Sequence, residues 1–244
     1  MRRWRRSAAT LAALWTMACG SARPAPAPVP AQSPPVRNDL HWFRASAEYR
    51  GLAREIYRDA TEHLAELTQG MAAGRWGVIL DADETVLDNS LNERQLADRG
   101  LTYNEQEWAV WVRKGAATAI PGAAEFARAV QARGGRVVIV TNRADSLCGA
   151  TRANLTRIGV RADVVLCQTG PSDKNPRFAL VQQGGAAPGI PPLTVVEWIG
   201  DNIQDFPGLT QSVRDTPDGY AEFGHRYYLL PNPMYGSWQK VPEL

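Results

Sequence analysis

The stretch Trp76-Gly-Val-Ile-Leu-Asp81-Ala-Asp83-Glu-Thr85-Val-Leu-Asp88-Asn-Ser90 is an apolar run that stops abruptly at two carboxylates spaced i, i+2. A hydroxyl residue, Thr85, follows two positions later. An apolar run of this length reads as a buried strand. Carboxylates at the tip of a buried strand are costly unless they are paired or hold a metal. The arrangement therefore points to a cation, a nucleophile, or both.

Working outward, apolar strand segments alternate with helical ones. The strands are expected at Gly77–Leu80, Arg136–Val140, Asp163–Leu166, Leu193–Ile199 and Arg226–Leu230. Phe43, Ala47, Ala53, Ile56, Tyr57, Ala60, Leu64 and Leu67 recur mostly at three- and four-residue spacings, which predicts a helix over 39–69 stopped by Gly70. Further helices are expected from Pro121-Gly122 to Gly134-Gly135, from about Ser146 to Ile158, and from near Asp173 to Gly184. Continuous apolar strands separated by helices predict an α/β fold: an open, mostly parallel, Rossmann-like sheet with helices on both faces. Residues 90–120 interrupt the alternation. They are polar, carry Tyr103, Trp108 and Trp111, and read as a small cap inserted over the site. Residues 184–192 read as a loop.

The ends of the chain are set apart by composition. Arg2, Arg3, Arg5 and Arg6 precede a short apolar run to Ala18, which reads as a signal peptide over 1–18. Cys19, with Ala18 before it and Gly20 after it, is a candidate for lipid attachment; cleavage near Ala22 is the alternative. Residues 19–37 are a Pro/Ala-rich tether, and 38–244 are the folded domain. The full chain has 27 basic and 25 acidic residues; removal of residues 1–18 deletes four Arg and no acid, so the charge passes from +2 to −2. A nucleic-acid polymer is thereby excluded as a partner. Export permits a disulfide between Cys148 and Cys167, although two separate buried thiols fit the sequence equally.

Three expected strands end in reactive residues: Asp81 and Asp83, then Thr141-Asn142-Arg143, then Asp201-Asn202 with Asp205 four positions after Asp201. In an open parallel sheet the strand C-termini share one crevice, so these distant residues can meet. Asp81 and Asp201 offer hard oxygens, which suit Mg²⁺. The three His, at 41, 63 and 225, are scattered along the chain and form no ligand motif. Lys174, one of three Lys after residue 18, supplies a positive group for a phosphate, and Thr141 a hydroxyl and N–H donors. Asp81 is placed to attack phosphorus, and Asp83 to protonate the leaving oxygen and then activate water. Neighbouring carboxylates would favour the protonated form of Asp83, so mildly acidic pH should help turnover. Arg143 and Arg177 either form surface ion pairs or contact phosphate, and Asn142 either shapes the loop or joins the substrate site. Asn142 and Arg143 are carried as candidate substrate-binding residues. Asp88, Asn89 and Ser90 read as turn and cap residues. A calcium loop is disfavoured, because Val86 and Asn92 stand where the EF-hand needs Gly and Glu.

DADETVLDNS, VTNR, the Lys174–Phe178 segment and GDNIQDF resemble the four motifs of the haloacid dehalogenase superfamily. More narrowly, DADETVLDNS with SAEYR at 46–50, PGAAEF at 121–126 and LPNPMYG at 230–236 resembles the class C, lipoprotein e-type, bacterial acid phosphatases over about residues 39–239. The resemblance implies Mg²⁺-dependent hydrolysis of small phosphomonoesters, nucleoside 5′-monophosphates among them, outside the cytoplasm. It implies Asp81 as nucleophile and metal ligand, Asp83 as acid/base with its carbonyl on the metal, Asp201 as the third protein ligand, and Asp205 holding a metal-bound water. Thr141 and Lys174 would hold the phosphate. It further implies a homodimer on an outer membrane, and two aromatic rings clamping the base, at Tyr235 and Tyr103. Leu91-Asn92 stands where the family commonly has a Pro-aromatic pair. The alternatives are a phosphotransferase on the same core and a non-catalytic anchored nucleotide- or haem-binding lipoprotein.

Overall fold

The structure is a computed structural model that describes residues 37–242; the signal, the lipid-attachment cysteine and nearly all of the tether expected from the sequence lie outside these residues. Two helices come first, α1 (Asn38–Ala45) and α2 (Ala47–Leu67). The sequence predicts one helix here. Ser46 divides it, because its extended backbone breaks the first helix while its hydroxyl accepts the Tyr49 N–H and caps the second. Tyr49, Ala53, Tyr57, Ala60 and Leu64 form the buried stripe of α2.

Strand β1 (Trp76–Leu80) is buried at every position. The chain then makes a short antiparallel pair, β2 (Leu87–Asp88) with β3 (Thr118–Ala119), which brackets two helices, α3 (Ser90–Asp98) and α4 (Glu105–Lys114). Asn104 caps α4 through the Glu107 N–H, and Gly115 ends it in a left-handed turn. The alternation resumes with α5 (Ala123–Ala132), β4 (Arg136–Ala144), α6 (Cys148–Arg157), β5 (Val164–Gln168), α7 (Asn175–Gln183), β6 (Thr194–Gly200) and β7 (Tyr227–Leu229).

The five longer strands form one sheet in the order β5-β4-β1-β6-β7, and every neighbouring pair is parallel. Alternate residues serve two cores. Val78, Leu80, Val137, Ile139 and Ile199 pack with α1, α2 and α5; Ile79, Val138, Val140, Val195 and Trp198 pack with Phe178 and Val181 of α7. Two buried faces explain the continuous apolar strands. The register decides where the reactive residues fall. Leu80 pairs with Ile139 on one side and Ile199 on the other, so Asp81 falls beside Val140 and Gly200, with Thr141 and Asp201 one residue beyond that level.

Strand β4 is longer than the sequence predicts. It runs through Thr141-Asn142-Arg143 to Ala144, which pairs with Gln168 after a register shift. Strand alternation then buries Thr141 and Arg143 and exposes Asn142. Cys148 and Cys167 form a disulfide with Cα atoms 5.9 Å apart, which joins the start of α6 to the end of β5. No helix among the described residues is long and apolar enough to cross a membrane.

Candidate active site

A cavity of about 190 Å³ opens at the C-terminal edge of β1, β4 and β6 and is lined by Asp81, Asp83, Asn142, Lys174, Asp201 and Tyr235 among others. Asp81, Asp201 and Asp205 each present an oxygen, and these oxygens lie within 4.8 Å of one another. The Asp81 N–H still bonds the Ile199 carbonyl at 2.9 Å, so Asp81 is the last residue held by the sheet ladder.

Lys174 ties the cluster together. Its Nζ donates to Asp81 Oδ1 at 2.5 Å and to Asp205 Oδ1 at 2.6 Å, with all three side chains buried. Asp205 is fixed from its other oxygen, which accepts the Asn202 N–H at 2.9 Å. Gly200 makes this possible, because a Cβ there would lie 2.3 Å from the Asp205 Cβ. Asp201 accepts from the Thr85 hydroxyl at 3.0 Å and from Asn232 Nδ2 at 2.8 Å.

Electrostatically the cluster is short of positive charge. Three carboxylates face one ammonium. The Asp81 carboxyl is pushed up to about 7: burial raises it most, Lys174 pulls it down, and Asp205 and Asp83 push it up. Burial, then Asp205 and Asp81, hold Asp201 well above the usual carboxylate range. Burial disfavours the Lys174 ammonium, but Asp205 and Asp81 more than offset this and raise it. An excess of two negative charges on hard oxygens, with no His or Cys in the group, fits a divalent cation of the Mg²⁺, Mn²⁺ or Ca²⁺ type.

Asp83 lines the same cavity but has partners of its own. Arg143 grips it through Nε at 3.0 Å and a terminal nitrogen at 2.7 Å, and Asn89 Nδ2 donates to it at 2.8 Å. Here the structure adds to one expectation and corrects another. Asp83 keeps the carboxylate neighbours expected of it, Asp81 and Glu84, and also has a guanidinium in direct contact. Arg143 is neither a surface ion pair nor a lining residue of the cavity; it is 2 % exposed, with its guanidinium committed to Asp83, Asn89 and Thr151 and stacked 5.3 Å from the Trp108 ring. The period-two burial of a strand continued past Val140 is the cause.

Arg177 is also buried. It donates to the Thr141 carbonyl and to Asn142 Oδ1, and so braces the β4 tip against the Lys174 loop. Thr141 is wholly buried behind the cavity wall, and its hydroxyl accepts the Arg143 N–H at 3.1 Å. Tyr235 is half-buried and lines the cavity, whereas Tyr103 is 60 % exposed, stands against Trp108 and is absent from the lining. The structure therefore does not bring the two rings together around this cavity. His63 and His225, distant in sequence, are neighbours with ring centroids 5.7 Å apart, and His63 bonds the Tyr228 hydroxyl; His63 lies on α2 and neither ring lines the cavity.

Three residues to which the sequence assigns no site role prove important. Asn232 orients Asp201, and its position just beyond the C-terminal end of β7 is the signal that would have found it. Glu84 adopts a left-handed backbone at φ 52°, the lone non-glycine to do so among the described residues, and its buried carboxylate accepts the Asn89 N–H at 2.8 Å. Asn89, expected to cap a helix, turns its side chain onto Asp83 and Glu84.

Comparison with known proteins follows the same lines. The chain matches the family described as HAD superfamily, subfamily IIIB (Acid phosphatase), over residues 5–238. It is similar to the class C acid phosphatase from Bacillus anthracis at 30% identity and a TM-score of 0.74, covering 82% of this chain and 85% of that one. A second structure of that organism's class C acid phosphatase, with tungstate bound, matches at 30% identity and a TM-score of 0.72 over the same shares.

Proposed function

The chain belongs to subfamily IIIB of the HAD superfamily and is an acid phosphatase, a hydrolase of phosphomonoesters; we propose that it is Mg²⁺-dependent, works through a phosphoryl group carried on Asp81, and acts outside the cytoplasm. One observation carries this reading: Asp81, Asp201, Asp205 and Lys174 converge at the rim of one sheet with two negative charges in excess.

Asp81 and Asp201, with the Asp83 carbonyl, would hold Mg²⁺, and Asp205 would orient a water on it. When bound, the ion neutralises charge on the phosphate oxygens and keeps the phosphoryl group in line. An Asp81 oxygen attacks phosphorus, and the bond from phosphorus to the ester oxygen breaks. Asp83 gives its proton to the departing oxygen, which leaves as an alcohol. Asp83 then takes a proton from the water that attacks the aspartyl-phosphate, releasing phosphate and restoring Asp81. Lys174 and Asn142, which both line the cavity, would hold the remaining phosphate oxygens. Tungstate is a tetrahedral oxyanion like phosphate, so its presence in the relative from Bacillus anthracis supports an oxyanion site in this fold.

Nucleoside 5′-monophosphates are the proposed substrates, with Tyr235 as the aromatic wall for the base. For export, we propose cleavage after residue 18, a tether over 19–37 and a lipid on Cys19, with the active form a homodimer. The Cys148–Cys167 disulfide supports an oxidising compartment. The test is phosphate release from a 5′-mononucleotide by chelator-treated enzyme, before and after Mg²⁺ is returned. Loss and recovery of activity is expected; full activity after chelation would overturn the metal assignment.

A further inference from the structure

Asn89 sits one residue before α3, in a position usually filled by a capping side chain, yet its side chain bonds none of the helix N–H groups. It faces inward, with 1% of its surface exposed, and its amide is fully engaged. On the nitrogen side, Nδ2 donates to Asp83 Oδ1 at 2.8 Å and to the Leu87 carbonyl at 3.2 Å. On the oxygen side, Oδ1 accepts from Trp111 Nε1 at 2.8 Å and from Arg143 at 3.2 Å. An amide can point either way, but here only one way is open. Reversal would set its NH₂ against an indole N–H and a guanidinium, and its carbonyl against two carboxylates. Trp111 belongs to α4, in the inserted segment, and Trp108 of the same helix covers Arg143, the other group that grips Asp83.

We propose that Asn89 and Trp111 are positioning residues for proton transfer, and that α4 thereby sets the orientation of the Asp83 carboxylate at the reacting oxygen. The inference rests on the reading of Asp83 as the general acid. Trp111 fixes the sense of the Asn89 amide; the amide fixes one carboxylate oxygen; Arg143 bridges both oxygens and locks the plane. The inserted segment is thereby joined to the acid through Asn89 and Arg143.

The test exploits the leaving group. A 4-nitrophenolate leaves readily without a proton, whereas an alkoxide does not. A displaced acid therefore penalises alkyl phosphates far more than 4-nitrophenyl phosphate, while a folding defect lowers both alike. Values of kcat/KM for 4-nitrophenyl phosphate and for an alkyl phosphate are to be compared in wild type, Asp83→Asn, Asn89→Ala and Trp111→Phe. We expect Asn89→Ala to lose about tenfold or more on the alkyl ester and about threefold or less on the aryl ester, with a smaller loss of the same pattern in Trp111→Phe. Should Asn89→Ala not fold, Trp111→Phe, which keeps a ring in the core, decides the matter. Equal losses on both esters, or none, alongside a selective loss in Asp83→Asn would overturn the positioning role and leave the acid assignment intact. A non-selective loss in Asp83→Asn would overturn the acid assignment, and the positioning role with it.

Discussion

At the scale of single residues, the site shows how much chemistry depends on side chains that never touch the phosphoryl group. Among the described residues no cation contacts Asp201 directly; its two oxygens are held by Thr85 and Asn232. Asn232 in turn accepts the Met234 and Tyr235 N–H groups, so one amide links a proposed metal ligand to the loop carrying the aromatic wall. Partners of this kind commonly change metal affinity by about 10- to 100-fold. Asn232→Ala should therefore raise the Mg²⁺ concentration needed for half-maximal activity by roughly that factor, with kcat at saturating Mg²⁺ less affected. An unchanged activation constant, measured by Mg²⁺ titration of phosphate release, would show that Thr85 alone suffices.

At the scale of elements, strand β6 carries both the proposed ligand at its tip and an anomaly in its middle. Glu197 is completely buried between apolar neighbours, and neither carboxylate oxygen has a hydrogen-bond partner among the described residues. Burial alone pushes its carboxyl up from 4.5 to about 9. The folded chain therefore retains a proton that the unfolded chain releases above pH 4.5, and stability falls as pH rises between those two values. The slope is at most about 1.4 kcal/mol per pH unit. Glu197→Met, similar in shape and uncharged, should raise the melting temperature, and by more at pH 8 than at pH 5. An equal gain at both pH values, read from thermal denaturation, would mean that the buried carboxyl is not what titrates.

Elements also show what the sequence could and could not reveal. The apolar periods of β1, β4 and β6 were legible because both sheet faces are buried, so each strand is a continuous run. Their reactive tips were legible because a carboxylate after such a run has no cheap structural use. The break at Ser46 was not, since the apolar stripe continues across it and only the hydroxyl cap divides the helices. Arg143 was misread for a related reason. Its burial depends on β4 continuing three residues past its apolar core, and Thr-Asn-Arg carries no signal of a strand.

At the scale of the whole molecule, a parallel register brings Asp81 and Asp201, 120 positions apart, to neighbouring tips and lets Lys174 reach between Asp81 and Asp205. That convergence was inferable from topology, because strand C-termini in an open parallel sheet share one crevice. The network through Asn89, Trp111 and Arg143 was not, because it joins residues on three separate segments through side-chain direction alone. The central claim is that Asp81 performs the displacement. Its most direct test is phosphate release by Asp81→Asn at saturating Mg²⁺. A fall of at least about a thousandfold from wild type is expected. Turnover within about tenfold of wild type would contradict it, since other groups would then be supplying the nucleophile.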